Sequence, residues 1–192
     1  IRYLTNHSSG KQGYEIAQQM ILSGAKVILV SGPTNLEPPF NSKIIKVKTA
    51  NEMFKAVKKN LNVDIAIFTA AVADVSPQNI LKSKIKKNKL TNIKLKKNKD
   101  ILYEVATLKK NRPKIVIGFA AETNNHINNA KKKLLNKNCD AIVVNKIDKK
   151  NQVFGSDFNK VSFVTKKTIL NFNKTSKINV AKKVIRLIDS LQ

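Results

Sequence analysis

The stretch "KIVIGFAAETNNHINNAKKKLLNKNCDAIVVN", residues 114–145, decides the fold class. Two short apolar runs rich in β-branched residues, 114–119 and 140–145, lie on either side of a helical segment at 128–137. Short runs that end in small or polar residues are typical of parallel strands covered on both faces. Since parallel neighbours need a crossover connection, the strand–helix–strand order predicts an α/β fold.

The same alternation continues on both sides of this stretch. Further strands are predicted at 26–30, 44–48 and 63–70, and further helices around 16–21, 50–60 and 100–110. Gly24 is expected to end the first helix, and Thr49 with Glu52 forms a capping box for the second. A hairpin with a Lys-Lys turn is predicted at 160–172, and a last amphipathic helix at 177–191. We therefore interpret residues 1–192 as a single domain with a Rossmann-like, mostly parallel sheet, helices on both faces and a C-terminal β-hairpin.

The composition narrows the classes of function. There are 37 basic and 12 acidic residues, a formal net charge of +25, which is typical of nucleic-acid binders. Only three of the basic residues are arginine, whereas lysine and asparagine, which both have A-rich codons, are abundant. Proteins that read duplex DNA favour arginine for bidentate contacts, and the chain has no Trp to stack on single strands. We therefore attribute the charge to gene composition and expect no nucleic-acid partner.

Several other classes are disfavoured. No apolar run approaches the roughly 18 residues of a membrane span, so we expect no membrane association. The single cysteine, Cys139, cannot form an internal disulfide, and it favours a cytoplasmic location. The spacing of Cys139, His7 and His126 suggests neither a metal centre nor a Cys–His nucleophile pair. We assign Cys139 to packing and predict no metal-ligating residues.

The lysine-dense stretch at 78–100 breaks the alternation of strands and helices. Its composition suits a solvated or disordered arm. Its segment "LTNIKLK", residues 90–96, instead alternates apolar and polar residues, like an exposed strand. Such a lysine-rich flap would pack on a partner subunit, and composition alone does not separate the two interpretations.

Three loops could carry chemistry, although each also has a plain structural interpretation. "NHSSGKQG" (6–13) would place two hydroxyls and two glycines at a helix N-terminus, which attracts anions. "TAAVADVSP" (69–77) and "GFAAETNN" (118–125) follow predicted strands, where ligands of open α/β sheets bind. There Asp74 would take a sugar hydroxyl or a metal, and Phe119 would stack on a base. Each loop taken singly also has an ordinary explanation. The polar residues would cap helices, as Thr123 and Asn124 would, and Phe119 would be a core residue.

Taken together, these motifs resemble phosphopantothenate–cysteine ligase, in the form found as the carboxyl-terminal half of a bifunctional bacterial protein. The resemblance rests on "RYLTNHSSGKQG" (2–13), "VSGPTNLEPP" (30–39), "AAVADV" (70–75), "KIKK" (84–87), "NKDIL" (98–102), "GFAAETNN" and "FGSDFN" (154–159). It implies ligation of 4′-phosphopantothenate with L-cysteine. CTP, with Mg²⁺, would first form an acyl-cytidylate, which the cysteine amine then attacks. It also implies a homodimer whose flap crosses to the other subunit. FMN would be present only if a decarboxylase half is attached, and higher oligomers would then form through that half.

The resemblance also implies roles for particular residues. Lys84 would promote formation of the acyl-cytidylate, and Asn6 would hold the acyl carbonyl while the amine attacks. The phosphopantothenate end would be bound by Arg2, Ser8, Ser9, Gly10 and Ala71. CTP would be bound by Phe68, Thr69, Ala70, Asp74, Lys84, Lys99, Asp100, Ile101, Leu102, Phe119, Lys133 and Lys137.

Two departures from the family pattern matter. The family has a proline where this chain has Lys99, which loosens the turn before the next helix and weakens the assignment of Lys99. The family's first strand should also precede Arg2, so we expect a further strand upstream of Ile1 in the parent polypeptide.

Two other functions compete with the ligase. A basic nucleic-acid-binding module would bind duplexes with a steep salt dependence. A nicotinamide-dependent reductase would need a G-x-G-x-x-G loop and a placed Tyr–Lys pair, neither of which the sequence has.

Overall fold

A computed structural model of the chain describes residues 5–6, 8–79, 92–147 and 156–191. The helices are α1 (Lys11–Leu22), α2 (Ala50–Lys59), α3 (Ile101–Ala106), α4 (His126–Lys137) and α5 (Lys177–Asp189). The strands are β1 (Ile28–Ser31), β2 (Lys43–Lys46), β3 (Ile65–Phe68), β4 (Val75–Pro77), β5 (Leu95–Lys97), β6 (Ile115–Glu122), β7 (Ala141–Lys146), β8 (Phe158–Asn159), β9 (Val161–Thr165), β10 (Ile169–Asn171) and β11 (Thr175–Ser176).

A five-stranded sheet with the order β10-β9-β7-β6-β3 forms the centre of the fold. The strands β3, β6 and β7 run parallel, as the strand–helix–strand pattern predicts, and β9 pairs antiparallel with β7. The predicted hairpin is β9–β10, in which the Thr165 N–H donates to the Thr168 carbonyl across the Lys-Lys turn. The predicted α/β class is therefore confirmed.

Helices cover both faces of this sheet. On one face, α3 and α4 pack over a core that contains Val105, Leu134 and Val144, and Val57 of α2 lies against it. On the other face, α5 buries Val180, Val184 and Ile188, and Met20 of α1 packs beside them. Successive residues of β6 and β7 alternate between the two cores, because strand side chains point to opposite faces in turn. These two strands are therefore buried on both sides.

The predicted helix ends are partly right. Gly24 takes the left-handed conformation and donates to the Ile21 carbonyl, and Thr49 accepts from Glu52 N–H at the start of α2. Helix α3 ends at Ala106 instead of continuing to residue 110. The Ala106 carbonyl, which a continued helix would use for its next hydrogen bond, instead accepts from Arg112 Nε. The Thr107 hydroxyl donates to the Tyr103 carbonyl.

The start of α4 also differs from the prediction. Thr123 and Asn124 do not cap this helix. The residue before the first turn is Asn125, whose φ of 47° is left-handed and whose side chain makes no cap hydrogen bond. Asn tolerates this conformation better than most residues, since its short side chain crowds the backbone little.

The strands β1 and β3 are less buried than expected. Within the described residues, β1 pairs in parallel only with β2, and β3 lies at the edge of the central sheet. All four residues of β3 are half-buried, and no strand in the described part of the chain covers its outer edge. Strands β6 and β7 are thus buried as predicted, whereas β1 and β3 are only partly buried, although Ile65 and Ile67 pack on one core and Phe68 on the other. The expected strand upstream of Ile1 stays a prediction.

Part of the lysine-dense stretch forms an antiparallel stem. The strand β5 pairs with β4, and the ladder continues at both ends, where Gln78 N–H donates to Lys94 and Asn98 N–H donates to Asp74. Ile93 and Leu95 are exposed on this stem. The predicted exposed strand is therefore present at 95–97, whereas residues 80–91, and Lys84 with them, lie outside the described residues. Its role in dimerisation stays a prediction.

Candidate active site

A cavity of about 2850 Å³ opens at the carboxyl ends of β3 and β6. It is bounded by the first turn of α1, the loop after β3, the start of α3 and two lysines of α4. Ligand pockets usually measure about 300–1,000 Å³, and this cavity is larger because it also includes the gap between β1 and β3. The three loops singled out from the sequence all contribute to its wall.

The start of α1 offers a site for an anion. Gly10 has a φ of 75° and precedes the first helical residue, and it has no side chain with which to cap the helix. Ser9 Oγ accepts a long hydrogen bond of 3.4 Å from Lys11 N–H, while the Thr34 hydroxyl donates to the Ser9 carbonyl at 3.2 Å. Helix N–H groups and the helix dipole favour negative charge here. The predicted binding residues Ser8, Ser9 and Gly10 thus lie together on the cavity wall.

The first two candidate loops meet through Asn6. Its Nδ2 donates to the Ala71 carbonyl at 3.1 Å, across 65 residues of sequence. One turn further along α1, Gly13 allows the helix to approach the end of β3 closely, since a Cβ there would lie 2.6 Å from Thr69 Oγ1. Asn6, Thr69, Ala70 and Ala71 therefore form one continuous part of the wall.

Asn98 organises the next part of the site, which the sequence reasoning missed. Its side-chain amide donates to the Ala73 carbonyl and accepts from the Ser76 hydroxyl, both at 2.8 Å. Together with the Asn98 N–H bond to Asp74, these contacts fix the loop after β3 to the segment that begins α3. Asp74 itself is exposed to the cavity. The signal was present in "NKDIL", but only the residues after Asn98 were given a role.

A second group of predicted residues gathers on the α3/α4 side. Lys137 is ion-paired with Asp100, which also caps α3 by accepting from Tyr103 N–H at 3.0 Å. Lys133 is ion-paired with Glu122 at 2.7 Å. We call Asp100, Glu122, Lys133 and Lys137 the lysine cluster. Glu122 was not singled out from the sequence, although it lies in "GFAAETNN".

Glu122 is held as a carboxylate. Burial raises its pKa, but hydrogen bonds from Lys133 and from Asn129 Nδ2, together with the charge of Lys133, outweigh this and lower the pKa below the ordinary value of 4.5. At neutral pH, the ammonium of Lys133 is therefore paired with a charged carboxylate.

The other predicted nucleotide-binding residues lie in different surroundings. Phe119 is half-buried on the α1/α5 face and lines the cavity, whereas Phe68 and Leu102 pack against the opposite core. The side chain of Ile101 is buried. The ammonium of Lys99 lies 4.5 Å from the centre of the Phe54 ring. Arg2 and Lys84 lie outside the described residues.

Cys139 is buried, and burial raises the pKa of its thiol to about 11, which suits the packing role predicted for it. In the described ranges, no three His, Cys, Asp or Glu side chains are grouped as a metal site. No helix in the same ranges is both long and apolar enough to cross a bilayer.

Comparisons with known proteins place the chain in a family. The family model for the DNA/pantothenate metabolism flavoprotein C-terminal domain matches residues 1–191. The coenzyme A biosynthesis bifunctional protein CoaBC of Borreliella burgdorferi is 43% identical over 192 residues, which cover 98% of this chain and 48% of that protein. The chain thus spans about half the length of the curated relatives it matches.

Solved structures agree with the sequence comparison. A crystal structure of the C-terminal domain of coenzyme A biosynthesis bifunctional protein CoaBC matches with a TM-score of 0.83 and 36% identity, over 100% of this chain and 87% of that one. A Cab2 mutant in complex with phosphopantothenate-cysteine matches with a TM-score of 0.71 over 100% of this chain and 81% of that one. At 15% identity, the second likeness shows the fold alone. The resemblance drawn from the sequence is confirmed, and the chain belongs to the DNA/pantothenate metabolism flavoprotein C-terminal domain family.

Proposed function

We propose that this protein is a CTP-dependent phosphopantothenate–cysteine ligase, which makes 4′-phosphopantothenoylcysteine through an acyl-cytidylate. Family membership and the names of its relatives support this function over a nucleic-acid-binding module or a nicotinamide-dependent reductase. The neighbouring Cab2 complex contains phosphopantothenate-cysteine, which is the product of the proposed reaction.

The hydrogen bond between Asn6 Nδ2 and the Ala71 carbonyl is the observation that carries the proposal. It joins the anion-binding turn at Ser8–Gly10 to the loop that leads to Asp74. The two substrates would meet at this junction, with the phosphate of phosphopantothenate at the start of α1 and the CTP triphosphate towards the lysine cluster. Two anions repel each other, so they react only if a site holds them close together. Holding two reactants in the correct geometry supplies a large part of an enzyme's rate acceleration.

In the first step, the phosphopantothenate carboxylate attacks the α-phosphorus of CTP and pyrophosphate leaves. Negative charge accumulates on the phosphoryl oxygens, and lysines placed around them stabilise it. Lys133 and Lys137 would turn from Glu122 and Asp100 to the triphosphate. Both ion pairs are partly exposed and contribute little to stability, so exchanging a carboxylate for a phosphate costs little. Lys84 would approach the reacting phosphate from the flap.

In the second step, the cysteine amine attacks the acyl carbonyl and CMP leaves. Asn6 has two amide hydrogens, and the bond to Ala71 uses one of them. The second is available to the acyl oxygen as charge develops on it. Fixing one hydrogen to the backbone orients the other, so that little reorganisation is needed during the reaction.

Mg²⁺ would enter with the triphosphate. This cation usually binds one or two carboxylates together with substrate phosphates, and Asp74 is an exposed carboxylate on the cavity wall. Asp74 therefore fits as its protein ligand. The cation would neutralise the charge of the leaving pyrophosphate.

The remaining parts of the proposal concern the whole protein. We propose a cytoplasmic homodimer in which the flap of one subunit reaches the other. Exposed Ile93 and Leu95 on the stem of the flap would suit such a contact. FMN would be bound only by an attached decarboxylase half.

The proposal is tested by measuring pyrophosphate release from the full-length protein with phosphopantothenate and no cysteine. We expect release with CTP and much less with ATP. The Lys84→Gln variant should release none, whereas Asn6→Asp should release pyrophosphate and then accumulate acyl-cytidylate when cysteine is added. Pyrophosphate release by Lys84→Gln at the parent rate would show that the assigned role is wrong.

A further inference from the structure

Two buried side-chain oxygens have no hydrogen-bond partner among the described residues, and both belong to residues that line the cavity. They are Oδ1 of Asn145, at the end of β7, and Oδ1 of Asn159, in the "FGSDFN" motif, to which no role was assigned. Asn159 is 1% exposed and Asn145 is 8% exposed. Leaving a buried acceptor without a partner is destabilising, and native structures contain few of them. Two on one wall therefore need an explanation.

The orientation of Asn159 is fixed by its neighbours. Gln12 Nε2 donates to the Lys177 carbonyl at 3.2 Å, and Asn159 Nδ2 donates to Gln12 Oε1 at 2.9 Å. A backbone carbonyl can only accept, so the NH₂ group of Gln12 must face Lys177. The oxygen of Gln12 then faces Asn159, whose NH₂ group must donate to it. This chain of hydrogen bonds therefore uses the NH₂ group of Asn159 and leaves its Oδ1 without a partner among the described residues.

The segment that carries Asn159 is also anchored. Lys11 is ion-paired with Asp157 at 2.6 Å, and Lys177 N–H donates to the Asp157 carbonyl. Asn145 lies on the same face of the sheet, since it is two residues beyond Val143, which packs in the core beneath α5. We call Gln12, Asn145 and Asn159 the amide cluster. Its two acceptor oxygens without a described partner are carried by β7 and β8, and Gln12 on α1 orients the second of them.

The chemistry of the amide cluster selects its ligand. Carbonyl oxygens repel phosphate and carboxylate groups and accept hydrogen bonds from N–H or O–H groups. Gln12 is in the first turn of α1 and lines the same cavity as Ser9 and Gly10. The cluster therefore lies next to the proposed phosphate-binding turn and complements a different part of the substrate.

We infer that the amide cluster is a substrate-binding subsite for a hydrogen-bond donor. This inference rests on the proposed function and adds a subsite to it. Two sources offer such donors: the hydroxyl and amide N–H of the pantothenoyl chain, and the amine of cysteine. Asn159 makes the contact, Asn145 supplies a second acceptor, and Gln12 is a positioning residue that holds the Asn159 amide in one orientation.

The test measures the KM for phosphopantothenate and the KM for cysteine separately in the full-length parent, Asn159→Leu, Asn145→Leu and Gln12→Leu. Losing one neutral hydrogen bond should raise one of the two KM values about three- to tenfold and leave the other within about twofold. The KM that rises identifies the source of the donor. Gln12→Leu and Asn159→Leu should raise the same KM, and the double variant should be no worse than Asn159→Leu.

Gln18→Leu is the matched control, because Gln18 lies on the same helix and does not line the cavity. Melting temperatures show whether each variant folds, and Gln12→Leu tests the inference even if Asn159→Leu does not fold. Folded variants with unchanged KM values would overturn the inference, because the cluster would then hold only water. In that case the activity of the parent would still support the ligase proposal. A parent that releases no pyrophosphate would overturn the ligase proposal, and the subsite would fall with it.

Discussion

The amide cluster and the lysine cluster line the same cavity from opposite faces of the sheet, and they are held in place by different physics. In the amide cluster, neutral hydrogen bonds fix the orientation of each group and leave acceptor oxygens unused. In the lysine cluster, each ammonium is neutralised by a carboxylate. The first is thus held in a fixed orientation, whereas under the proposed function the second would exchange its carboxylates for phosphates.

This difference suits the two kinds of ligand. A neutral donor contributes little binding energy, so a site for it gains from a fixed orientation. A triphosphate binds strongly through charge, and lysines left unpaired beside one another would repel each other in its absence. Glu122 and Asp100 relieve that repulsion. We expect, therefore, that substitutions on the two faces affect different substrates.

The largest effect is expected from Gly118→Ala, which disturbs the lysine side alone. A Cβ at Gly118 would lie 2.5 Å from Leu102 Cδ2 and 2.9 Å from Ile142 Cδ1. Overpacking of this kind lowers the free energy of unfolding by about 1–3 kcal/mol. Because Leu102 is in the first turn of α3, its displacement should also move Asp100 and raise the KM for CTP more than the KM for phosphopantothenate. Chemical denaturation and steady-state kinetics measure the two effects.

Gly32→Ala is the control for this substitution, since a Cβ there meets only Met53 Cε at 4.0 Å. It should leave both measurements nearly unchanged. If Gly118→Ala raised the two KM values equally, the two faces would not be independent.

The next effect is that of Lys137→Met, which keeps the length of the side chain and removes its charge. Loss of a charged hydrogen bond to the triphosphate should raise the KM for CTP roughly tenfold or more, as expected for about 1.5–3 kcal/mol. The free energy of unfolding should change by less than about 1 kcal/mol, because the ion pair with Asp100 is partly exposed. Lys132→Met is a control on an exposed position of the same helix. An unchanged KM for CTP would place the triphosphate elsewhere.

Much of this architecture follows from the sequence. The strands β6 and β7 and the hairpin β9–β10 were predicted because their apolar runs have few alternatives. Asn6 and Ala71 were each named from the family resemblance, but their contact was not predicted, since the two residues are 65 positions apart. Of the lysine cluster, Asp100, Lys133 and Lys137 were named from that resemblance as well.

What the sequence did not predict depends on contacts between distant segments. Asn98 and Glu122 are polar residues at loop ends, and their importance is visible only when Ala73 and Lys133 lie beside them. The early end of α3 has the same origin, because Arg112 reaches back to the Ala106 carbonyl. The edge position of β3 could not be predicted either, since a run of apolar residues does not say which neighbours pair with it.

The smallest effect tests the charge state of the lysine cluster through pH. Because the folded pKa of Glu122 is lowered, its contribution to stability is complete above its unfolded pKa near 4.5 and is lost as the pH falls through the folded pKa. The free energy of unfolding of Glu122→Gln should therefore depend less steeply on pH in the acid range than that of the parent. The difference should be at most about 1 kcal/mol, because Lys133 is half-exposed. Glu15→Gln, on helix α1 at the opposite face of the sheet, is the control for removal of a carboxylate.

A second measurement adds CTP. With CTP bound, the difference in free energy of unfolding between the parent and Glu122→Gln should shrink, because Lys133 then contacts phosphate instead of Glu122. If the difference persists with saturating CTP, Lys133 stays on Glu122 and the lysine cluster does not exchange its anions.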